Sequence, residues 1–278
     1  DWWFLTYRGW SHAENGAVEH GRALTQRGFE LRRENANAAH ALAHAMYEAG
    51  AGEEAERLIA GWLPGYDRAG PLHGHIAWHA ALAALERGDA ERALAVYAEH
   101  VQPSVSAGMP VNVVSDTASF LWRLRAYGHD VPEGLWQAAA AYAARAFPEA
   151  GFAFADAHMA ILEAAAGDRD AVGRRAAALT ALVEAGGLAA GPVVPAICRA
   201  ALAFAEEDYA GCARTLEPVA AEAVRIGGSR AQPELLEDML LLALMRGGEA
   251  AKARALLDRR LHRRPSPRDA AWRGLLAA

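Results

Sequence analysis

His40, His44 and Glu48 recur every four residues along one predicted helix, and His75 and His79 repeat the spacing on another. Residues at i and i+4 lie about 40° apart around a helix, so each set projects from a single face. Two imidazoles one turn apart can share a metal ion, and a carboxylate completes such a set. The H-E-x-x-H zinc motif is absent. Metal-free acid/base use of these groups is the preferred expectation, with a divalent metal at the histidine cluster as the alternative. The structural alternative has the histidines simply hydrogen-bonded between Ala-rich helices, and two such pairs in one chain weigh against it.

Asp116, Ser119 and Arg123 stand at i, i+3 and i+7, again on one helical face. Asp116 could orient a histidine while Arg123 binds an anionic group such as a carboxylate. The plainer alternative is an ion pair that holds helices in register. Asp156 is a pocket candidate or the N-cap of the Ala-rich stretch behind it, and His158 follows two residues later. Trp78 and Trp122 could wall a pocket or simply fill core. His73 is out of phase with His75 and is expected outside the site. His12, His20, His100, His129 and His262 read as surface or turn histidines. The Arg-rich RRLHRRPSPR end reads as a solvated helix and turn.

The elements that must position these residues are helices. The 278 residues are 53% apolar, with Ala and Leu dominant and β-branched runs scarce, which predicts an all-α fold. Candidate first helices begin near Asn35, Leu72, Val114, Phe154, Val193 and Arg230, at intervals of 37, 42, 40, 39 and 37 residues. Each runs into a short turn (AGAGEE, ERGDAE, AGDRDA, EEDYAG, RGGEAA) and then into a second Ala-rich helix. Ala93, Tyr97 and Pro103, and later Ala253, Leu257 and Pro265, follow the tetratricopeptide pattern of small residue, large residue and terminating proline. The expected architecture is a right-handed α-solenoid of degenerate tetratricopeptide-like helix-turn-helix repeats over residues 1–278. In it, the histidine-bearing first helices line a concave face. Trp2, Trp3, Tyr7 and Trp10 are expected to cover the first repeat, and the abrupt start suggests that residues before Asp1 are missing.

The strings NANAAHALAHAMYEAG, HGHIAWHAALAALERGDAERALAVY, SDTASFLWRLRAYGHDV and FADAHMAILEAAAGD together resemble the tetratricopeptide repeat protein 38 family, as does GGSRAQPELLEDML. The resemblance runs from about Tyr7 to Leu257 and rests on His, Trp, Asp and Arg rather than on generic Ala and Leu. It implies the solenoid and brings no settled reaction with it. Arg230 stands where the family often has His, and Pro233 and Glu234 replace an Arg-Asp pair.

Net charge is −6, with both signs interspersed, so no nucleic-acid partner is expected. No apolar run reaches about 18 residues, so no membrane span is expected either. Cys198 and Cys212 lie in Ala-rich sequence and read as buried thiols. No nucleophile elbow, P-loop or dinucleotide fingerprint occurs. The function expected is a cytoplasmic small-molecule-binding enzyme with hydrolase-like acid/base chemistry. His40, His44, Glu48, His75, His79, Asp116 and His158 would be catalytic, and Trp78, Trp122, Arg123 and Asp156 would bind substrate. The alternative is a non-catalytic scaffold that takes a peptide or protein partner in its groove.

Overall fold

A computed structural model describes residues 1–276. Among them regular structure is entirely helical. In chain order the helices are α1 (Trp2–Glu14), α2 (Val18–Leu31), α3 (Ala36–Glu48), α4 (Gly52–Trp62), α5 (His73–Glu86), α6 (Ala90–Val96), α7 (Pro110–Ala126) and α8 (Glu133–Ala146). They continue with α9 (Ala153–Ala165), α10 (Arg169–Glu184), α11 (Val193–Ala205), α12 (Tyr209–Leu216), α13 (Glu234–Arg246), α14 (Ala250–Arg263) and α15 (Pro267–Leu275). A π-helical turn at Tyr97–Val101 extends α6. No described helix is long and apolar enough to cross a membrane.

The starts of α3, α5, α7, α9, α11 and α13 fall within four residues of the six positions expected from the repeat pattern. Local chemistry explains the agreement. Asn35, Asp89, Asp168 and Asp208 cap α3, α6, α10 and α12, their carboxylate or amide oxygens accepting from backbone N–H groups two or three residues on. Gly88 and Gly167 close the preceding turns at φ 85° and 79°, in the left-handed region that glycine enters without steric cost.

Burial separates two kinds of helix. The run His73–Leu85 of α5 is buried throughout, as is Val113–Leu124 of α7. By contrast α4 buries only Ala55 and Ile59, and α8 only Trp136, Ala139 and Ala143. Helices apolar on all sides go to the interior, and those with one apolar stripe cover them. The histidine-bearing helices are largely covered: α5 is buried from His73 to Leu85, and within Ala36–Glu48 of α3 Asn37 and His40 are the partly exposed residues.

The chain divides into two compact units, Asp1–Met109 with Leu257–Ala278, and Pro110–Leu256. In the first, α1 packs on α2 and α3, and α3 to α6 follow in order. The C-terminal segment returns to this unit. Arg264 Nη1 donates to both oxygens of Glu86 at 2.9 and 3.1 Å, Nη2 donates to the Tyr47 hydroxyl at 3.1 Å, and the guanidinium lies 4.1 Å from the Tyr47 ring centre. Arg260 Nε donates to Asp269 at 2.7 Å, with both side chains about 2% exposed. This overturns the solvated reading of RRLHRRPSPR: Arg260 and Arg264, four residues apart, take buried carboxylates as partners.

In the second unit α7 packs on α8 and α9, α9 on α10 and α11, and α11 on α12 and α13. In a linear stack each repeat would meet only its neighbours. Here α13 also packs back on α7. The contact is held by Asp238, which accepts from Arg123 Nε at 2.9 Å and from the Tyr127 hydroxyl at 3.1 Å.

Candidate metal centre

The Asn35 cap fixes where α3 begins, and the turn at Asp67–Leu72 fixes α5. Their packing brings four imidazoles together. One ring nitrogen from each of His40, His44, His75 and His79 lies within 4.8 Å of every other. His40 Nε2 is 2.9 Å from His44 Nε2 and 3.1 Å from His79 Nε2. His44, His75 and His79 are buried, and His40 is partly so.

Proton counting constrains this arrangement. Each Nε2 has one in-plane position, filled by either a proton or a lone pair. If His40 Nε2 carries the proton it can donate well to only one of its two neighbours. If it does not, one lone pair must face two donors. A divalent ion bound at about 2.0–2.1 Å would take lone pairs from all the nitrogens, with tetrahedral N···N edges of about 3.3 Å. Two of the six edges, at 2.9 and 3.1 Å, are within a few tenths of that value, while the four nitrogens as a set lie within 4.8 Å of one another.

The electrostatics favour neutral ligands. Burial holds His40 and His79 well below the ordinary imidazole range, and the neighbouring imidazoles push them further down. His44 Nδ1 faces Glu14 Oε1 at 3.2 Å. That is an ion-pair distance without hydrogen-bond alignment; with the Nδ1–H tautomer beside the carboxylate, the Nε2 lone pair would face the cluster, as around histidine-bound metals. The His75 ring stacks on Trp78, centroids 5.4 Å apart and planes 14° apart, and Trp10 meets His44 edge-on at 6.4 Å. Trp78 is therefore core against a cluster histidine, its indole fully buried. Glu48 is buried at the end of α3, one turn beyond His44.

Asp116, Trp122, Arg123, Asp156 and His158 all belong to the second unit. Arg123 Nε donates to Asp238, Nη1 to the Ser119 hydroxyl and Nη2 to the Ala231 carbonyl. Its guanidinium is committed inside the unit, in an ion pair with Asp238. Asp156 is not the N-cap of α9, which is Phe152. It lies within the first turn, takes the Gly151 N–H at 2.9 Å and pairs with Arg175 at 2.5 Å. Arg175 also holds Glu163 at 2.7 Å. With Asp156 about 1% exposed, these three side chains form a buried ion-paired triad.

His158 Nδ1 lies 2.8 Å from the Phe154 carbonyl, and burial pushes its pKa down to about 4 while Asp116 nearby opposes the shift. Trp122 packs on Phe204 with centroids 5.3 Å apart, beside a cavity of about 100 Å³. Cys198 and Cys212 are free and buried as expected, their thiols pushed up to about 12 by burial.

Two features of the first unit have no signature in the sequence. Glu14 carries no spacing signal, because its link to His44 depends on α1 crossing α3. His100 is not an ordinary surface histidine: it is partly buried in the π-helical turn, with Nδ1 3.2 Å from His73 Nε2. The His73–Glu99 segment does not reveal this, since the pairing spans α5 and the turn after α6. His73 does lie outside the four-histidine cluster, on the other face of α5, as its phase requires. No protein-family model matches the chain, and no solved structure gives a significant match.

Proposed function

We propose that this chain is a metal-binding, enzyme-like protein acting on a small molecule, with His40, His44, His75 and His79 as ligands and hydrolysis as the reaction class. The carrying observation is the convergence of Nε2 nitrogens at 2.9 and 3.1 Å, which protons cannot satisfy together. It moves the preference from metal-free acid/base chemistry to a metal centre, since imidazole nitrogens suit zinc and iron. A bound divalent ion supplies Lewis acidity and lowers the pKa of a coordinated water.

The chain's own residues supply the rest. Burial keeps His40 and His79 neutral and available as ligands. Glu14 orients the His44 ring, and Trp78 fixes that of His75. Glu48, one turn beyond His44, is assigned proton transfer. His40 is the most exposed of the four and marks the side of approach. Covered histidine helices support a small ligand over a peptide laid in a groove. The same reading takes the helix pairs as degenerate tetratricopeptide-like repeats of a right-handed solenoid. That is in keeping with the resemblance to the tetratricopeptide repeat protein 38 family and with a cytoplasmic location.

Elemental analysis of untagged protein, purified without chelator, tests the centre. We expect close to one zinc, iron or manganese per chain, lost in His44→Ala and His79→Ala while circular dichroism stays helical. Folded wild-type protein that remains empty after all three metals are offered would falsify the assignment. Metal-loaded and stripped protein are then compared on a panel of esters and amides, where only the loaded form should turn over.

A further inference from the structure

The first unit holds a second cavity, of about 350 Å³, on the face of α5 opposite the histidine cluster. His73, Ala77 and Ala80 line it at i, i+4 and i+7, whereas His75 and His79 point about 150° away around the helix. Two different sites therefore share one helix. The volume is at the lower end of small-molecule sites, which run to about 300–1,000 Å³.

Its wall is divided. Ile59 and Leu63 from the α4 end, Ala77 and Ala80 from α5 and Val96 from α6 give an apolar body. Polar groups gather at the other end. Tyr66 stacks over His73 with planes 12° apart, His73 meets His100 at 3.2 Å, and Arg68 and Arg92 reach the rim. Arg68 donates to the Glu99 carbonyl at 2.6 Å and lies 3.6 Å from the Glu99 carboxylate. Among the described residues Arg92 uses only Nε, on Glu56 at 3.2 Å, a carboxylate that it shares with Arg87. The two terminal nitrogens of Arg92 remain for a ligand at the rim.

The backbone is also specialised here. The turn that carries Glu99 and His100 is π-helical, a departure from α-geometry that recurs at functional sites. Gly74 lets α5 approach it: a Cβ there would sit 2.9 Å from the His100 carbonyl oxygen and 2.6 Å from the Ser106 hydroxyl. The polar end of the cavity is thus held in place by a close backbone contact.

We propose that this cavity is a binding site for a small organic acid with an apolar body. The chain or ring lies against Ala77, Ala80 and Val96, and the carboxylate takes the free guanidinium edge of Arg92, with the His73–His100 pair as polar neighbours. No covalent step is involved, and the site is separate from the proposed metal centre.

Octanoate, with octanol as its neutral counterpart, is the probe. It is titrated by calorimetry into full-length protein, both metal-loaded and stripped. The expected result is octanoate binding with a Kd below about 1 mM, at least about tenfold tighter than octanol, and equal in both forms of the protein. Arg92→Met should erase the preference for the acid, and Ala80→Leu, which fills the apolar part, should abolish binding of both probes. Metal content is followed in each variant to confirm that the cluster on the far face of α5 is intact. Three results would overturn the proposal. They are no octanoate binding to folded protein, an undiminished acid preference in Arg92→Met, and binding that disappears on metal removal rather than on Arg92 replacement.

Discussion

His158 gives a pH dependence whose size follows from its surroundings. Its pKa falls from 6.5 to about 4, chiefly because burial disfavours the imidazolium. The Phe154 carbonyl and Asp116 pull it back up, and Arg123 pushes it down. A histidine whose folded pKa is depressed takes up its proton first in the unfolded chain. Its stabilising contribution is therefore complete above pH 6.5 and is lost as pH falls from there toward 4. Linkage at 1.36 kcal/mol per pKa unit puts the loss at about 2 kcal/mol by pH 5 and about 3 kcal/mol by pH 4. His158→Asn is the control, because the amide nitrogen can still donate to the Phe154 carbonyl while nothing titrates. Urea unfolding of both proteins at pH 7.5, 6, 5 and 4.5 isolates this one group as the difference between two curves. Hydrogen exchange of the peptide over residues 153–165, measured in parallel, assigns the change to the second unit. Wild-type and variant stabilities that run parallel from pH 7.5 to 4.5 would show that His158 is not held neutral by burial.

The remaining predictions concern the first unit. Glu14→Ala should weaken metal binding by about 10–100-fold, the usual effect of removing an outer-shell partner. Competition against a chelating dye reads this directly, and an unchanged Kd would remove Glu14 from the centre. Arg264→Ala leaves the Glu86 carboxylate buried without its cation, so it should cost about 3–5 kcal/mol. It should also free residues 257–276 to early proteolysis. A loss below about 1 kcal/mol, the level of an exposed ion pair, would mean that this contact does not hold the C-terminal segment.

Much of this protein is local, and local features are legible in a sequence. Ala-rich runs set helices because their side chains lose little freedom there. Asn35, Asp89, Asp168 and Asp208 stop and restart the chain because a short polar side chain satisfies the first N–H groups of a helix. The i, i+4 spacing put His40 with His44 and His75 with His79 on shared faces before any packing was known. Covered helices were not legible: the run His73–Leu85 is buried on every side, so its histidines sit in an interior and not along a groove.

Tertiary structure alone decided which partners those residues meet. His40 meets His79 across 39 positions, Arg123 takes Asp238 across 115, and Arg264 reaches Glu86 across 178. Sequence spacing fixes an angle around one helix and is silent on which other helix stands at that angle. That choice depends on burying apolar surface over a whole unit, and a charged side chain then pairs with whatever opposite charge the packing delivers. Asp116 and Arg123 share a helix face, yet Arg123 is bound to Asp238, because α13 returns to α7. Glu14 faces His44 because α1 lies on α3.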